Sequence, residues 1–435
     1  MRDDYTVHGT LKGLHRLFSI QRIRLPSAQS MKKKKISKQK AKPAPSVVKA
    51  SSVKPELLDR LRYFEERREA ILETTRQLVE IESPSDNKSA VDRLGSLLAG
   101  RFEKLGGHSK FHKAQDFGNH LQVDFPGRRG GKPVLLLGHF DTVYPLGTLA
   151  KMPCRTADGR LTGPGALDMK SGIAMMLHAI GALRDWHSDA LPRPVTVLLV
   201  TDEEVGSDSS RRITESLARN SSAVLVLEPS FGMKGAVKTA RKGVGEYMIE
   251  VSGIAAHSGL DFEKGESAIL ELARQVLEIP KLIDKKRGLT LNVGLIKGGT
   301  RVNVIPDFAS AILDVRVTSM KDASSIEKRL RALKPFNKKC KLTIKGGVNR
   351  PPMERNQGVS ALFDQAATIA RQLGWKLDEA AVGGGSDGNF TAGLGIPTLD
   401  GMGGVGDGAH ATHEFILTDE LPRRTALLAQ MIKAV

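Results

Sequence analysis

The sequence predicts an α/β protein: a mixed sheet, mostly parallel and covered by helices, into which a smaller α+β domain of ferredoxin-like order is inserted. Three short apolar runs, at 133–137, 195–200 and 224–227, are typical of buried strands, and a helical pattern at 171–184 separates the first two. Continuous apolar strands that alternate with helices indicate a parallel sheet covered on both faces. Between about 243 and 347 the order changes to strand, helix, two strands, helix and strand, a split β-α-β-β-α-β arrangement.

These patterns divide the chain of 435 residues into four segments. Residues 1–55 are rich in Lys, Ala, Pro and Ser, and we expect them to form a disordered basic leader because they cannot bury a core. The first domain then takes up residues 56–242 and resumes at 348–435, on either side of the insert at 243–347. A chain of this length holds two or three domains, each with its own core.

Shorter periodic patterns predict the individual elements. Apolar residues recur at helical spacing over 56–82, which indicates one helix, and a further helix is predicted at 359–373. The elements predicted in the insert are a strand (246–251), a helix (266–279), two strands (289–296 and 308–317), a helix (324–333) and a strand (341–344).

The net charge of +18 is concentrated at one end of the chain. Residues 1–54 hold 14 Lys and Arg against two Asp, a net charge of +12, which leaves +6 for the remainder. The folded part therefore lacks the strongly basic surface of a nucleic-acid-binding domain. The leader alone has the charge to contact nucleic acid or anionic lipid, but no folded basic surface accompanies it. We expect a solvated leader and no nucleic-acid partner.

Cysteine content and hydropathy restrict the compartment. The chain has two cysteines, Cys154 and Cys340, and no CxxC pair, so neither a disulfide framework nor a structural zinc cluster is indicated. No run approaches the roughly 18 apolar residues that span a bilayer, and the first 25 residues lack the apolar segment of a signal peptide. We therefore expect a cytoplasmic protein without a membrane span.

Acidic residues and histidines follow each of the three apolar runs. The first run leads into HFDT at 139–142, the second into DEEVGS at 202–207, and the third into EP at 228–229. The same residue types recur in GPGALDMK at 163–170 and HATHEF at 410–415. The carboxyl ends of parallel strands meet at one edge of a sheet, where buried carboxylates are costly without a compensating cation. Together the five segments predict a metal held by imidazole and carboxylate donors.

The order HxDT, GPGxxDMK, DEExGS, EP and a late HxxxE resembles the M20 metallopeptidases, from about residue 83 to the C-terminus. Within that family, GHFDTVY at 138–144 and GGGSD at 383–387 resemble the glutamate carboxypeptidase branch of carboxypeptidase G2 type. The resemblance implies two Zn²⁺ per chain, with a shared carboxylate and a shared water between them.

The same resemblance assigns the ligands. One zinc is expected on His139 and Glu228, the other on Glu204 and His410, with Asp168 as the bridge between them. His413 is the alternative ligand to His410. His410 is preferred only because the late histidine of the family lies four residues before a Glu-aromatic pair, as His410 lies before Glu414 and Phe415.

Two acidic residues beside the ligands have catalytic roles in the family. Glu203, next to the ligand Glu204, is expected to be the general base, a role that needs a carboxylate near the water but off the metal. Asp141, two residues after His139, is expected to accept the other imidazole N–H and orient the ring. A turn-capping role is the alternative for Asp141.

The insert supplies further candidates by resemblance. In similar dimeric enzymes this domain forms the dimer interface, and its His and Asn reach the partner's active site to bind the oxyanion. That implies a homodimer in which His257 and Asn303 have this role. Arg316 resembles the family's clamp for the substrate carboxylate. Packed or surface-bonded side chains are the alternative for all three.

Four more residues are expected near the substrate. Arg350 falls where this branch has a basic residue, and Lys234 is a further candidate for the second cation that a glutamate pocket needs. Gly385 and Ser386 lie in a glycine-rich segment that would let the backbone approach the substrate closely. A mobile surface loop is the alternative for that segment.

The expected activity is hydrolysis of an amide or peptide bond next to a free carboxylate, which releases a C-terminal amino acid, with glutamate as the candidate. An N-acyl amino acid deacylase or a dipeptidase is the rival within the same chemistry, because the sequence does not define the side-chain pocket. A non-catalytic binding protein is the alternative from another class, and the pairing of Glu203 with Glu204 argues against it.

Overall fold

The structure is a computed structural model, and it describes residues 55–435. The predicted leader therefore lies outside the described residues, except for Pro55, which begins the first helix. The α-helices of the described part are α1 (Pro55–Glu65), α2 (Arg68–Val79), α3 (Lys88–Lys104), α4 (Ser171–Trp186), α5 (Arg211–Arg219), α6 (Ala268–Glu278), α7 (Met320–Arg331), α8 (Gln357–Gln372), α9 (Gly388–Gly393) and α10 (Leu421–Ala434).

The strands form two large sheets and several short pairings. In chain order they are β1 (His108–His112), β2 (His120–Phe125), β3 (Val134–His139), β4 (Arg155–Ala157), β5 (Arg160–Thr162), β6 (Val195–Val200), β7 (Ala223–Val226), β8 (Val237–Arg241), β9 (Gly243–Ser252), β10 (Ala256–His257), β11 (Thr290–Gly298), β12 (Val304–Ile305), β13 (Phe308–Val317), β14 (Lys341–Arg350), β15 (Glu379–Val382), β16 (Thr398–Leu399), β17 (Gly406–Asp407) and β18 (Phe415–Leu417).

The first sheet has six strands in the order β1-β2-β6-β3-β7-β16. Strands β6, β3, β7 and β16 are mutually parallel, and β1 and β2 add an antiparallel edge. Alternate residues of β3 enter two cores: Leu136 packs in the larger one with α4 and α10, and Leu135 and Leu137 pack in a smaller one with Ala218 of α5. Burial on both faces explains why these strands read as continuous apolar runs, and the predicted mixed, parallel-dominated sheet is confirmed.

The second sheet has four antiparallel strands in the order β11-β13-β9-β14. With α6 and α7 it has the predicted β-α-β-β-α-β order, and side chains such as Tyr247, Leu272 and Ile326 form its own core. Strand β14 extends to Arg350 because it pairs with β9 along that whole length, so this sheet ends three residues beyond the predicted boundary at 347.

The segment predicted as one helix over 56–82 contains two, α1 and α2. Phe64 at the end of the first and Ile71 in the second are both buried in the larger core. Because the two helices bury residues in the same core, the apolar spacing continues across the break. Periodicity alone therefore does not reveal the turn.

Helix α3 and the β1-β2 hairpin follow, and neither was predicted. No helix within residues 55–435 is long and apolar enough to cross a membrane.

Candidate active site

The carboxyl ends of the parallel strands bring the predicted donors together. His139 is the last residue of β3, Glu203 lies in a single helical turn just after β6, and Glu228 follows β7 by two residues. These three strands are neighbours in the sheet and run in the same direction, so their ends meet at one edge. Motifs that are far apart in the sequence therefore lie in one cluster.

Asp168 lies at the centre of this cluster. Its Oδ1 is 3.1 Å from His139 Nε2, and its Oδ2 is 3.4 Å from His410 Nε2. On the first side Glu228 Oε1 is 3.4 Å from the same His139 nitrogen, and on the second side Glu204 Oε2 is 3.0 Å from His410 Nε2. The five side chains thus form two groups that share one carboxylate.

His410 reaches the cluster from a strained loop. Its backbone has φ of 65°, in the left-handed region that costs a non-glycine residue free energy and is common at functional sites. The other histidine of this loop, His413, is exposed and makes no carboxylate contact within residues 55–435. Of the two rivals, the structure brings His410 to Asp168.

Glu414 holds the loop that carries Asp168. Its buried carboxylate accepts hydrogen bonds from the backbone N–H groups of Gly165, Leu167 and Asp168, at 3.1, 2.7 and 2.9 Å. Tyr144 donates its hydroxyl to the same carboxylate at 2.7 Å. Glu414 therefore fixes the backbone at Asp168 from within the His410 loop, and this explains the position of the acid in the late HxxxE motif.

The electrostatics of the cluster favour a bound cation. Burial lowers the pKa of the His139 imidazole, but the carboxylates of Asp141, Asp168 and Glu228 outweigh it and hold that pKa well above its usual range. Hydrogen bonds that the His410 imidazole donates to the carboxylates of Asp168 and Glu204 raise the pKa of His410 to about 10. Without a metal the histidines attract protons strongly, so the cluster carries an excess of negative charge. Nitrogen and oxygen donors in this arrangement fit a pair of divalent metal ions.

Glu203 lies beside the ligands but is held from the other side. One of its carboxylate oxygens is grouped with donor atoms of His139 and Glu228 within 4.8 Å, and Oε1 is 3.1 Å from Arg350 Nη2. Burial raises the pKa of Glu203 well above its usual range, and the Arg350 charge opposes this shift. Glu203 is close enough to these donors to be a ligand. Unlike Glu204, however, it forms an ion pair with Arg350.

Arg350 has partners that the sequence did not predict. Its guanidinium is 2.5 Å from Asp387 Oδ1, and it donates to the backbone oxygen of Glu203 at 3.0 Å and to Ser207 Oγ at 2.9 Å. Arg350 is 6% exposed, so little of its surface is accessible to a substrate. The structure therefore gives it a place behind Glu203 instead of the expected contact with substrate.

Asp141 lies under the His139 ring. The ring Nδ1 is 3.1 Å from the backbone oxygen of Asp141 and 3.4 Å from its Oδ1. The other carboxylate oxygen accepts from Ser85 Oγ at 2.7 Å and from the backbone N–H of Glu204 at 3.3 Å. This geometry leaves Nε2 as the nitrogen that faces Asp168.

A second buried network lies behind Glu228. Arg241 makes two 2.8 Å hydrogen bonds to Asp400 and a 3.2 Å contact with Glu228 Oε2, and it also donates to the backbone oxygen of Gly385 at 3.0 Å. Ser386 is fully buried and donates its hydroxyl to Asp400 at 2.6 Å. Its hydroxyl is thus used inside the protein and not, as expected, for substrate. Gly385 does border a cavity next to the cluster.

The insert carries the three remaining candidates, His257, Asn303 and Arg316. His257 and Asn303 are exposed and lie on neighbouring short strands and turns, with Ser258 N–H donating to the Asn303 backbone oxygen at 3.1 Å. His257 Nδ1 accepts from the backbone N–H groups of Gly259 and Leu260, so the neutral ring carries its proton on Nε2. Arg316 Nε is 3.0 Å from Asp314. None of the three contacts the five clustered donors within residues 55–435.

For several residues of the site, no role was predicted from the sequence. Arg241, Asp400 and Lys238 stand singly in the sequence, outside any motif. Tyr144, Asp387 and Glu414 lie inside the motifs GHFDTVY, GGGSD and HxxxE, respectively. Those motifs were the only sequence feature that indicated them.

Residues 135–434 match the peptidase family M20/M25/M40. The chain belongs to this family. Carboxypeptidase G2 from Pseudomonas sp. (strain RS-16) is 30% identical over 371 residues, which cover 83% of this chain and 88% of that protein. Acetylornithine deacetylase from Myxococcus xanthus is 26% identical over 357 residues, 76% of this chain and 89% of that protein. The chain is thus an M20 metallopeptidase, a hydrolase, and the resemblance to the carboxypeptidase G2 branch is confirmed.

Solved structures show the same fold. Aminopeptidase PepT from Bacillus cereus ATCC 10987 aligns with a TM-score of 0.71 at 23% identity, over 84% of this chain and 98% of that one. The Bacillus subtilis protein YxeP, described as a dinuclear metal-binding peptidase of the M20 family, aligns with a TM-score of 0.62 at 15% identity, over 85% and 98%.

Proposed function

We propose that this hydrolase uses two zinc ions to cleave an amide bond next to a free carboxylate and releases a C-terminal amino acid, with glutamate as the candidate. The observation that carries the proposal is the position of Asp168, whose two oxygens face separate donor groups. The first ion would be held by His139 and Glu228, the second by Glu204 and His410, and both by Asp168. Sites of imidazole and carboxylate donors are typical of zinc.

Two zinc ions supply an activated water and polarise the carbonyl of the scissile bond. The contribution of the chain itself is proton transfer, and Glu203 is the group placed for it, beside the donors and held by Arg350 at 3.1 Å. Glu203 accepts the proton of the attacking water and delivers it to the leaving amine. Asp141 keeps the His139 ring oriented through Nδ1.

The insert completes the site in this proposal. The Nη atoms of Arg316 have no hydrogen-bond partner within residues 55–435, and a planar guanidinium suits the α-carboxylate of a substrate. His257 carries its proton on Nε2 and would donate it, with Asn303, to the oxyanion that develops at the scissile carbonyl. Since neither contacts the five donors of its own chain within residues 55–435, we assign them to the site of a partner subunit.

The surface of the insert supports a homodimer. Strand β11 is an edge of the second sheet and presents backbone groups without a neighbouring strand in residues 55–435. Among residues 55–435, eight of the ten large apolar side chains that are more than half exposed lie on the insert, namely Leu260, Phe262, Leu270, Leu277, Leu295, Ile296, Val302 and Phe336. Apolar patches at a sheet edge mark an interaction surface, and a second copy of this chain is the occupant we propose.

Mixing two inactive variants tests the partner role of His257. In a heterodimer of a His257→Ala chain and a Glu203→Ala chain, one of the two sites has both groups intact if His257 acts across the interface. Random assortment then restores about a quarter of the wild-type activity per chain. Each variant alone is the control. A mixture that shows only the sum of the two separate activities, or a fully active monomer by sedimentation, would contradict the assignment.

A substrate series tests the reaction. We expect the zinc-loaded protein to hydrolyse N-acylated amino acids and dipeptides with a free C-terminal carboxylate, and to lose that activity when the carboxylate is amidated. The rival function, deacylation of N-acyl amino acids, is favoured by the similarity to acetylornithine deacetylase. It predicts that small acyl groups are cleaved faster than peptides, so a series with one leaving residue and several acyl groups separates the two. Failure to cleave any member would refute the proposal.

We assign the enzyme to a reducing compartment such as the cytoplasm. Cys154 and Cys340 are both free thiols. Burial raises the pKa of the Cys154 thiol to about 11, which disfavours the thiolate that oxidises.

A further inference from the structure

The interior of the first domain contains an arginine without an acidic partner. Arg424 is the fourth residue of α10 and is 1% exposed. Its neighbour Arg423 pairs with Glu420, whereas Arg424 forms no ion pair within residues 55–435. Burial lowers the pKa of its guanidinium to about 10, against the opposing charge of Glu420. The first turn of a helix disfavours a cation as well, so Arg424 needs compensating contacts.

Three backbone carbonyls provide these contacts. Nε donates to the Gly403 oxygen at 3.0 Å, Nη1 donates to the Gly235 oxygen at 3.0 Å, and Nη2 donates to the Gly401 oxygen. The three glycines lie on two connections, the β7–β8 segment (227–236) and the β16–β17 segment (400–405). The fixed fork of a guanidinium suits acceptors in several directions, unlike the single nitrogen of a lysine. One side chain therefore holds both segments.

The two segments also bond directly to each other. The Gly403 N–H donates to the Glu228 backbone oxygen at 2.9 Å. The Gly404 oxygen accepts from both the N–H and the hydroxyl of Ser230, at 2.9 and 3.0 Å. The approach is close, since a Cβ on Gly403 would lie 2.7 Å from the Glu228 oxygen. Arg424 binds at this joint, because its Nε donates to the carbonyl of the same Gly403.

Each segment leads to a different side of the donor cluster. Glu228, on the β7–β8 segment, belongs to the donor group of His139. His410, which follows the β16–β17 segment and β17, belongs to the group of Glu204. One carboxylate, that of Asp168, has to reach both groups, so their separation has to be right. A change at the joint would move one group relative to the other.

We propose that Arg424 is a positioning residue for the donor cluster: by holding the β7–β8 and β16–β17 segments together, it sets the distance between Glu228 and His410. The inference rests on the proposed function, since it takes these two residues as ligands of separate ions. Arg424 does not line the cavity next to the cluster, so it acts on the reaction through the ligands alone. Groups that orient ligands tune metal affinity in this way.

Zinc binding to the full-length apoprotein tests the proposal without a substrate. In Arg424→Lys we expect the second zinc ion to bind roughly 10- to 100-fold more weakly, because the first ion takes the better-placed donor group. Arg423→Lys is the matched control. Arg423 is adjacent, pairs with Glu420 and stacks on Trp375, and has no hydrogen bond to either segment within residues 55–435. Calorimetric titration with zinc alone should give this control the wild-type affinities.

Hydrogen exchange of the apoproteins locates the change. In Arg424→Lys the amides of Gly403 and Ser230 should exchange faster, since they form the joint, and those of β3 should keep their rates. Gly235→Ala disturbs the same joint with Arg424 intact, because its Cβ would lie 2.8 Å from Val405 Cγ2. It should weaken the second ion in the same manner, and it decides the matter if the Arg424 variants do not fold.

Chemical rescue separates positioning from general stabilisation. In Arg424→Ala, guanidinium ion at tens of millimolar, far below the molar concentrations that unfold proteins, should restore part of the second-ion affinity and of kcat. Methylammonium has the charge without the fork and should not. A variant that melts at a lower temperature but binds two ions with wild-type affinity would make Arg424 a structural residue only and refute the proposal.

The same titration distinguishes this inference from the proposed reaction. An equal loss of affinity in Arg423→Lys, or unchanged binding in both Arg424→Lys and Gly235→Ala, refutes the role of Arg424 and leaves the two-zinc hydrolase intact. A wild-type protein that binds two ions but cleaves no substrate refutes the reaction, and a selective loss of the second ion in Arg424→Lys then still supports the positioning role. A wild-type protein that binds no second ion refutes both.

Discussion

An Asp168→Asn protein is expected to purify with little bound metal and to lose roughly three orders of magnitude or more in kcat/KM. The two oxygens of Asp168 face His139 and His410 on opposite sides, at 3.1 and 3.4 Å. An asparagine has one acceptor oxygen, so one of the two groups would meet an NH₂ donor in place of a ligand. The backbone hydrogen bonds to Glu414 do not involve the altered atoms, and the loop should keep its shape.

Elemental analysis of the purified protein and steady-state kinetics measure the two effects. His413→Ala is the matched control, because His413 is exposed and three residues from His410 but outside the cluster. It should keep its metal, whereas His410→Ala should lose part of it. An Asp168→Asn protein with two full equivalents of zinc would show that Asp168 does not bridge, and a larger loss in His413→Ala than in His410→Ala would exchange those two assignments.

Elements with an uninterrupted or strictly alternating pattern were predicted most closely. The strands β6 and β13 were predicted to the residue, since the first is apolar throughout and the second alternates buried and partly buried positions. Helix α7 begins at Met320, four residues before its predicted start, because Ser319 accepts from the Asp322 N–H and caps it there. The hairpin of β1 and β2 was not predicted, because the exposed and partly buried residues of β1 give no apolar signal.

Three of the donors, His139, Glu204 and Glu228, lie at or just after the ends of parallel strands, whereas Asp168 and His410 follow strands of a separate antiparallel sheet and could be identified only from their motifs. Once the sheet order is known, the meeting of His139, Glu203 and Glu228 follows from the geometry of parallel strands. The roles of the cations could not be obtained in this way. Arg350 was expected to face a substrate and instead pairs with Glu203 and Asp387, a choice that depends on side chains about 37 and 147 positions away.

The same limit applies to Lys238 and Arg241. Both are basic residues on one short strand, three positions apart, and nothing in their spacing says which one has a carboxylate partner. Arg241 is the one with a partner, because Asp400, 159 positions away in the sequence, accepts two hydrogen bonds from its guanidinium. Tertiary pairing of single polar residues is therefore the part of this site that only the structure supplies.

Replacing Glu203 by glutamine is expected to leave zinc and substrate binding in place and to lower kcat by roughly two to four orders of magnitude, the usual contribution of a general base. Glutamine has nearly the volume of glutamate, and its amide oxygen can still accept from Arg350, which now lies 3.1 Å from the carboxylate. What it cannot do is accept a proton from the attacking water. The change should therefore appear in kcat with little change in KM.

Asp387→Asn is the control for this experiment, because it alters the same Arg350 network, through the 2.5 Å contact, without removing the proton acceptor. We expect its kcat to fall by roughly tenfold to a hundredfold, the scale of residues that support a catalytic group. Equal losses in the two variants would mean that the network's geometry, and not proton transfer at Glu203, limits the rate. A Glu203→Gln protein that loses its zinc would make Glu203 the ligand, and one with wild-type kcat would place the proton acceptor elsewhere.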